Sequence, residues 1–169
     1  TMGMFIVKQL KELSLNELNI EEKVGQLFMV RYTGDYYRND AHRFQNVKRL
    51  ITERHLGGVI TFVGSVHGTV ANLNEFQSFS KIPLLVAADF ERGVGQKIDG
   101  ATLFPSNMAM AATGDPELSY EQGKITALEA RALGVHVTFS PVVDVNSNPQ
   151  NPIINFRSYG DSPEIVSKY

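Results

Sequence analysis

An α/β fold built on a parallel sheet is what this chain predicts, and three observations carry the prediction. Short apolar runs recur at residues 27–31 (LFMVR), 58–62 (GVITF), 84–88 (LLVAA) and 135–140 (VHVTFS). Segments of helical period lie between them, and the residues that could do chemistry follow the third and fourth runs. Strand and helix in alternation imply parallel strands joined by right-handed crossovers.

The elements can be justified in order. Asn19 with Glu22 has the spacing of a capping box and opens a helix ahead of the first strand. None of the apolar runs alternates cleanly with polar residues, which is how strands covered on both faces read. Phe44, Val47, Leu50 and Ile51 form a helical stripe stopped by Gly57, and Val70, Leu73 and Phe76 form a second. Asp115-Pro116-Glu117 places proline at a first helical position. The stripe expected from that start is Leu118, Ile125, Leu128 and Ala132, with Gly134 as its stop. Ser162-Pro163-Glu164 repeats the proline start after the fourth strand.

Two parallel architectures compete. A dinucleotide-binding sheet carries GxGxxG after its first strand, and here Tyr32-Thr33-Gly34-Asp35 follows instead. Candidate functional residues on loops after strand ends fit a (β/α)₈ TIM barrel, which keeps its sites there. A barrel needs ~250 residues. The 169 residues therefore predict about four strands with their helices, the first half of a barrel, as a single partial domain over 1–169.

Composition excludes several function classes. With no cysteine, disulfides, zinc thiolates and thiol catalysis are ruled out. His42, His55, His67 and His136 form no HxxH, HxxxH or HExxH spacing, so no metal and no cofactor is expected. A net charge of −2 without a basic cluster argues against nucleic acid. No apolar run approaches the ~20 residues that span a bilayer. The opening TMGMFIVKQL is not a signal peptide, and Thr1 ahead of Met2 reads as a cloning residue. The expected location is the cytoplasm, with an upstream export signal left open.

Asp89 and Glu91 end the third strand in Asp89-Phe90-Glu91-Arg92-Gly93. Residues two apart on a strand point the same way, about 6.6 Å apart. They are not a glycosidase acid–nucleophile pair, because such carboxylates must flank the scissile bond ~5–5.5 Å apart. Asp89 reads either as a fixed acceptor for sugar hydroxyls or as a turn cap, and Glu91 as a solvated loop charge. Arg157 offers a rigid donor fork for vicinal hydroxyls or a carboxylate. Its structural alternative is an ion pair with Asp144 or Asp161. Asp144 is expected to tie down the Asn/Pro-rich loop, ahead of orienting Arg157, and Asp161 to belong to the helix start. Lys97 alone is a weak signal. His136 is expected to be a satisfied core histidine, and the other histidines surface groups. Phe104-Pro105 should fix a loop on the pocket floor. Gly93 and Gly95 lack the helix start with Lys-Ser/Thr of a phosphate cradle.

Read as an ordered set, these segments resemble the catalytic barrel of glycoside hydrolase family 3, in its β-N-acetylhexosaminidase branch. The matching stretches are EKVGQLF from Glu22, HLGGVI from His55, ADFERG from Ala88, TLFPS from Thr102, EARALG from Glu129, FSPVVDV from Phe139 and RSYG from Arg157. The resemblance implies a retaining hydrolase acting on terminal β-linked N-acetylglucosamine, with peptidoglycan fragments as the suggested source. It implies that Asp89, Lys97 and Arg157 bind the sugar. The family usually has Arg at the Lys97 position, and its glycine pair stands here as Arg92-Gly93. Its Lys-His pair, acid/base His and nucleophilic Asp belong to later strands, so no catalytic residue is expected among these 169. The expected partners are a carbohydrate substrate and either the remaining half of the barrel or a second copy covering the open half. A β-glucosidase and a non-catalytic half-barrel sugar-binding scaffold are the alternatives.

Overall fold

The computed structural model describes residues 15–38 and 40–169. The opening TMGMFIVKQL, read above for an export signal, lies outside the described residues.

The chain runs α1 (Ile20–Gly25), β1 (Met29–Gly34), α2 (His42–Arg54), β2 (Gly58–Ser65), α3 (Val66–Phe79), β3 (Leu85–Ala88), β4 (Ile98–Asp99), α4 (Asn107–Ala112), α5 (Pro116–Ala132), β5 (Val137–Thr138) and α6 (Pro163–Lys168). The strands order β1-β2-β3-β5, with β4 beside the end of β2, and every pairing is parallel. This is the first half of a (β/α)₈ barrel, as the alternation predicted.

The start signals act as the sequence indicates. The Asn19 side chain accepts from the Glu22 N–H, and the Glu22 carboxylate accepts from the Asn19 N–H. Proline begins both α5 and α6. Gly134, at φ 87°, follows α5 in the left-handed conformation that a helix stop requires. The stop of α2 differs: His55 takes the left-handed position at φ 54°, two residues before the expected Gly57. Gly57 is instead needed for close approach, since a Cβ there would lie 2.2 Å from the Gln26 carbonyl oxygen.

Register explains where the core sits. Val30 pairs with Val59 and Tyr32 with Thr61, while Val59 pairs with Val86 and Thr61 with Ala88. These side chains share the face covered by helices, where Tyr32 and Phe44 each place a ring 5.3 Å from that of Phe76. Burying such a side chain stabilises by about 1.5–3 kcal/mol. The alternate set, Arg31, Ile60, Leu85 and Ala87, lies on the opposite face. Leu85 there is 47% exposed and Arg31 is exposed, while the small Ala87 is buried between its neighbours. Continuous apolar runs predicted two covered faces; among the described residues the helices cover one.

The stripe read along α5 is also corrected. Leu118, Ile125 and Leu128 are 44%, 37% and 67% exposed, and the buried side is Ser119, Gln122, Thr126 and Ala130. That side meets a polar loop: Gln122 Nε2 donates to the Glu91 carbonyl, and the Glu129 carboxylate accepts from the Thr102 N–H and hydroxyl. Hydrogen bonding, not apolar periodicity, chose the inward face of this helix.

Candidate functional site

The site begins where β3 ends. Asp89 follows Ala88 directly and is half-buried. Beyond it the chain folds back in a closed loop: Gly95 N–H donates to the Thr102 carbonyl at 2.8 Å and Phe104 N–H to the Arg92 carbonyl at 2.9 Å. Arg92 N–H donates to Gln96 Oε1 at 2.9 Å. Gly93 is required by this approach, with φ at 84° and a Cβ position 2.6 Å from the Thr102 carbonyl oxygen. It serves a backbone crossing, and no phosphate cradle forms.

The end of β5 is laced to the end of β3. Phe139 N–H donates to the Ala88 carbonyl at 2.9 Å, and the Thr138 and Ser140 hydroxyls lie 2.7 Å apart. The polar loop after β5 then carries Arg157 back across this end of the sheet. Arg157 closes a short 3-10 turn over Asn155–Arg157, entered through Asn155 at φ 37°. Asparagine tolerates that left-handed conformation better than most residues.

The Arg157 guanidinium grips Glu91. Nε donates to Oε2 at 2.9 Å and Nη2 to Oε1 at 2.7 Å, while Nη1 donates to the Ile153 carbonyl at 3.1 Å. The Glu91 side chain is only 12% exposed. Two expectations are overturned together: Glu91 is not a solvated loop charge, and the ion-pair partner of Arg157 is neither Asp144 nor Asp161. The cause is topological, since parallel β3 and β5 put their following loops side by side. The hydrogen bonds that Arg157 donates to the Glu91 carboxylate raise its pKa, and the nearby charges of Glu91, Asp144 and Asp89 add to that. Arg157 thus uses three N–H groups, and a guanidinium has five.

Asp144 does tie the loop, but through its backbone: the Ser158 hydroxyl donates to the Asp144 carbonyl at 2.6 Å, and Asp144 itself is exposed. Asn107 was missed by sequence reasoning. It is 1% exposed, and its Nδ2 donates to the Arg157 carbonyl at 2.7 Å. Its only signal was its place directly after Ser106, which caps α4. His136 is no core histidine. It is exposed just before β5, where the imidazole Nδ1 accepts from the Val86 N–H at 3.0 Å and the His136 backbone N–H donates to the Val86 carbonyl at 2.8 Å. It extends the β3–β5 ladder with a side chain.

The structure therefore gathers Asp89, Glu91 and Arg157 at one end of the sheet. Lys97 is in none of the ion pairs among the described residues, and its ammonium lies 4.5 Å from the Phe62 ring centroid. A cavity of about 290 Å³ between α5 and β5 is lined by Gln122, Thr126, Ala130, Val135 and Tyr159 among others. None of Asp89, Lys97 or Arg157 lines it. Among the described residues no group of three His, Cys, Asp or Glu side chains gathers to hold a metal, and no helix is long and apolar enough to cross a membrane.

Comparison with known proteins identifies the family. The family described as Glycosyl hydrolase family 3 N terminal domain matches residues 19–169. A protein of Cellulomonas fimi named β-N-acetylglucosaminidase/β-glucosidase is 36% identical over 155 residues, covering 91% of this chain and 26% of its own length. A family 3 β-N-acetylglucosaminidase structure from Paenibacillus sp. str. FPU-7 superposes with a TM-score of 0.77 at 37% identity, over 89% of this chain and 29% of that one. A β-glucoside phosphorylase structure bound to 2FGlc gives 0.80 at 30% identity, over 90% and 27%. The chain thus spans between a quarter and a third of these proteins.

Proposed function

Because the chain belongs to family 3 of the glycosyl hydrolases, we propose that it supplies the sugar-gripping part of a retaining β-N-acetylglucosaminidase. Asp89 accepts hydrogen bonds from sugar hydroxyls, Arg157 donates to them with the N–H groups that Glu91 leaves over, and Lys97 adds a further donor. The observation that carries this reading is the Glu91–Arg157 pair, because it fixes the Arg157 fork over the same strand end as Asp89. Among the described residues Asp89 takes part in no ion pair, so its carboxylate can serve a ligand. Terminal N-acetylglucosamine in peptidoglycan fragments is the proposed substrate. The acid/base and nucleophile are proposed to come from later strands than these, so the 169 residues form a partial domain that does not turn over alone.

An assay of the purified chain with a chromogenic β-N-acetylglucosaminide tests this. No turnover is expected, and turnover comparable to that of an intact family 3 enzyme would refute it. A β-glucosidase is the second reading, favoured by the double name of the Cellulomonas fimi relative. Parallel assays of the intact protein on β-glucosides and β-N-acetylglucosaminides separate the two.

A further inference from the structure

Two cations share one aromatic ring on the face of the sheet that the helices leave open. Arg31 pairs in register with Ile60, and Phe62 lies two residues further along β2 on the same face. The Arg31 guanidinium carbon is 4.8 Å from the Phe62 ring centroid, and the Lys97 ammonium nitrogen is 4.5 Å from it. Both charges are thereby closer together than the ~10 Å screening length of 0.1 M salt.

Lys97 is held there by the backbone. Its carbonyl accepts from the Gly64 N–H at 3.0 Å, and the next two residues pair with Gly64 and Ser65. Among the described residues the ion pairs are Arg38–Asp40, Lys81–Glu22, Lys124–Glu121 and Arg157–Glu91. Neither Arg31 nor Lys97 is in any of them. A phenyl face attracts each cation but does not remove the repulsion between two like charges set around it. Such a pair favours an anion.

The place of the ring says what the anion would accompany. Thr61 pairs with Ala88, so Phe62 and Asp89 each stand one residue beyond that pair, at the same level of adjoining strands. The ring that the two cations share therefore stands level with Asp89 on the adjoining strand.

We propose that Arg31 and Lys97 form an oxyanion site, for a phosphate or carboxylate group, adjoining the carbohydrate site. Its role as a neighbour of bound sugar rests on the function proposed above; the anion site itself does not. The Arg31 fork can take two oxygens of one group, and Lys97 adds a point charge.

Calorimetric titration of the full chain at constant ionic strength tests the proposal, with inorganic phosphate, acetate, N-acetylglucosamine and its 6-phosphate as probes. Saturable binding of inorganic phosphate or acetate, weakened at least tenfold by Arg31→Met and by Lys97→Met, supports a site for a free anion. A 6-phosphate bound at least tenfold tighter than the neutral sugar, with that preference lost in Arg31→Met but neutral-sugar binding kept, supports a site for a charged substituent. Circular dichroism checks that each variant is folded, and Arg31→Lys should restore part of the effect. Wild-type indifference to every anion, or a preference that survives both Met variants, overturns the proposal. Anion binding without any binding of N-acetylglucosamine leaves the site standing and sinks the sugar reading instead.

Discussion

Arg157 and Glu91, 66 residues apart in sequence, meet through parallel hydrogen bonds of 2.9 and 2.7 Å from one guanidinium to one carboxylate. The loops after β3 and β5 are thereby joined across the end of the sheet. Arg157 is 35% exposed and Glu91 12%, so water screens the pair only partly. A double-mutant cycle with Glu91→Ala and Arg157→Ala should give a coupling energy within the 0.5–3 kcal/mol range, roughly, of residues in direct contact. Additive single losses, measured by urea denaturation, would show that the pair does not act as a unit.

Asp89 and Arg157 should respond differently to substitution in the intact protein. Asp89→Ala removes an acceptor that no protein group occupies as an ion pair, so sugar binding should be lost with little change in melting temperature. Arg157→Lys loses the planar fork and with it the grip on Glu91, so both affinity and stability should fall. Wild-type affinity in both variants would remove these residues from the site.

Asn107 should act through Arg157. Asn107→Ala deletes a buried side-chain donor and leaves the Arg157 carbonyl without that partner, at a cost of about 1–3 kcal/mol. Stability from denaturant melts should fall by that amount, and the sugar KM should rise more than kcat falls. A stability loss without any KM change would confine Asn107 to the scaffold.

Gly93 should tolerate no side chain. Its φ of 84° is strained for L residues, and an alanine Cβ would stand 2.6 Å from the Thr102 carbonyl oxygen and 2.7 Å from the Phe104 ring. Gly93→Ala should therefore cost more than about 1 kcal/mol. An unchanged melting temperature would mean that the loop can open at that crossing without loss.

His136 gives the fold a pH dependence of predictable sign. The residue as a whole is exposed, but partial desolvation of the imidazole, and secondarily the charge of Arg131, push it below the ordinary value, and Nδ1 accepts from Val86 only when unprotonated. An unfolded histidine titrates near ~6.5. Between the lower folded value and that one, the unfolded chain binds more protons, so stability rises with pH. The contribution is complete above ~pH 6.5 and is lost as pH falls through the folded value. Melting curves from about pH 5 to 8 should show this slope in the wild type and a flatter one in His136→Phe. Equal slopes would assign the effect elsewhere.

Legibility from sequence varied with the range of the forces involved. The Asn19–Glu22 capping box, the proline starts at Pro116 and Pro163 and the stop at Gly134 form as read, because each acts within a few residues. The helix α5 was legible as a helix but not in orientation. Its inward side is set by Gln122 reaching Glu91 and Glu129 reaching Thr102, contacts that a count of apolar residues does not weigh. His136 was misread for a similar reason, since a histidine near a strand shows no sign in sequence of serving as a ladder acceptor.

By itself, the chain's sequence determined the alternation of four strands with their helices, most of the caps, and the loops that carry Asp89, Lys97 and Arg157; β4 and α4, both within the loop after β3, were not legible in it. Only the tertiary structure decided that Glu91 is the partner of Arg157, that Asn107 supports it, and that Arg31 faces the same ring as Lys97. Caps and periodicity are local and survive in a short segment. Pairings across dozens of residues exist only once parallel register has set which strand ends adjoin and which alternate side chains share a face.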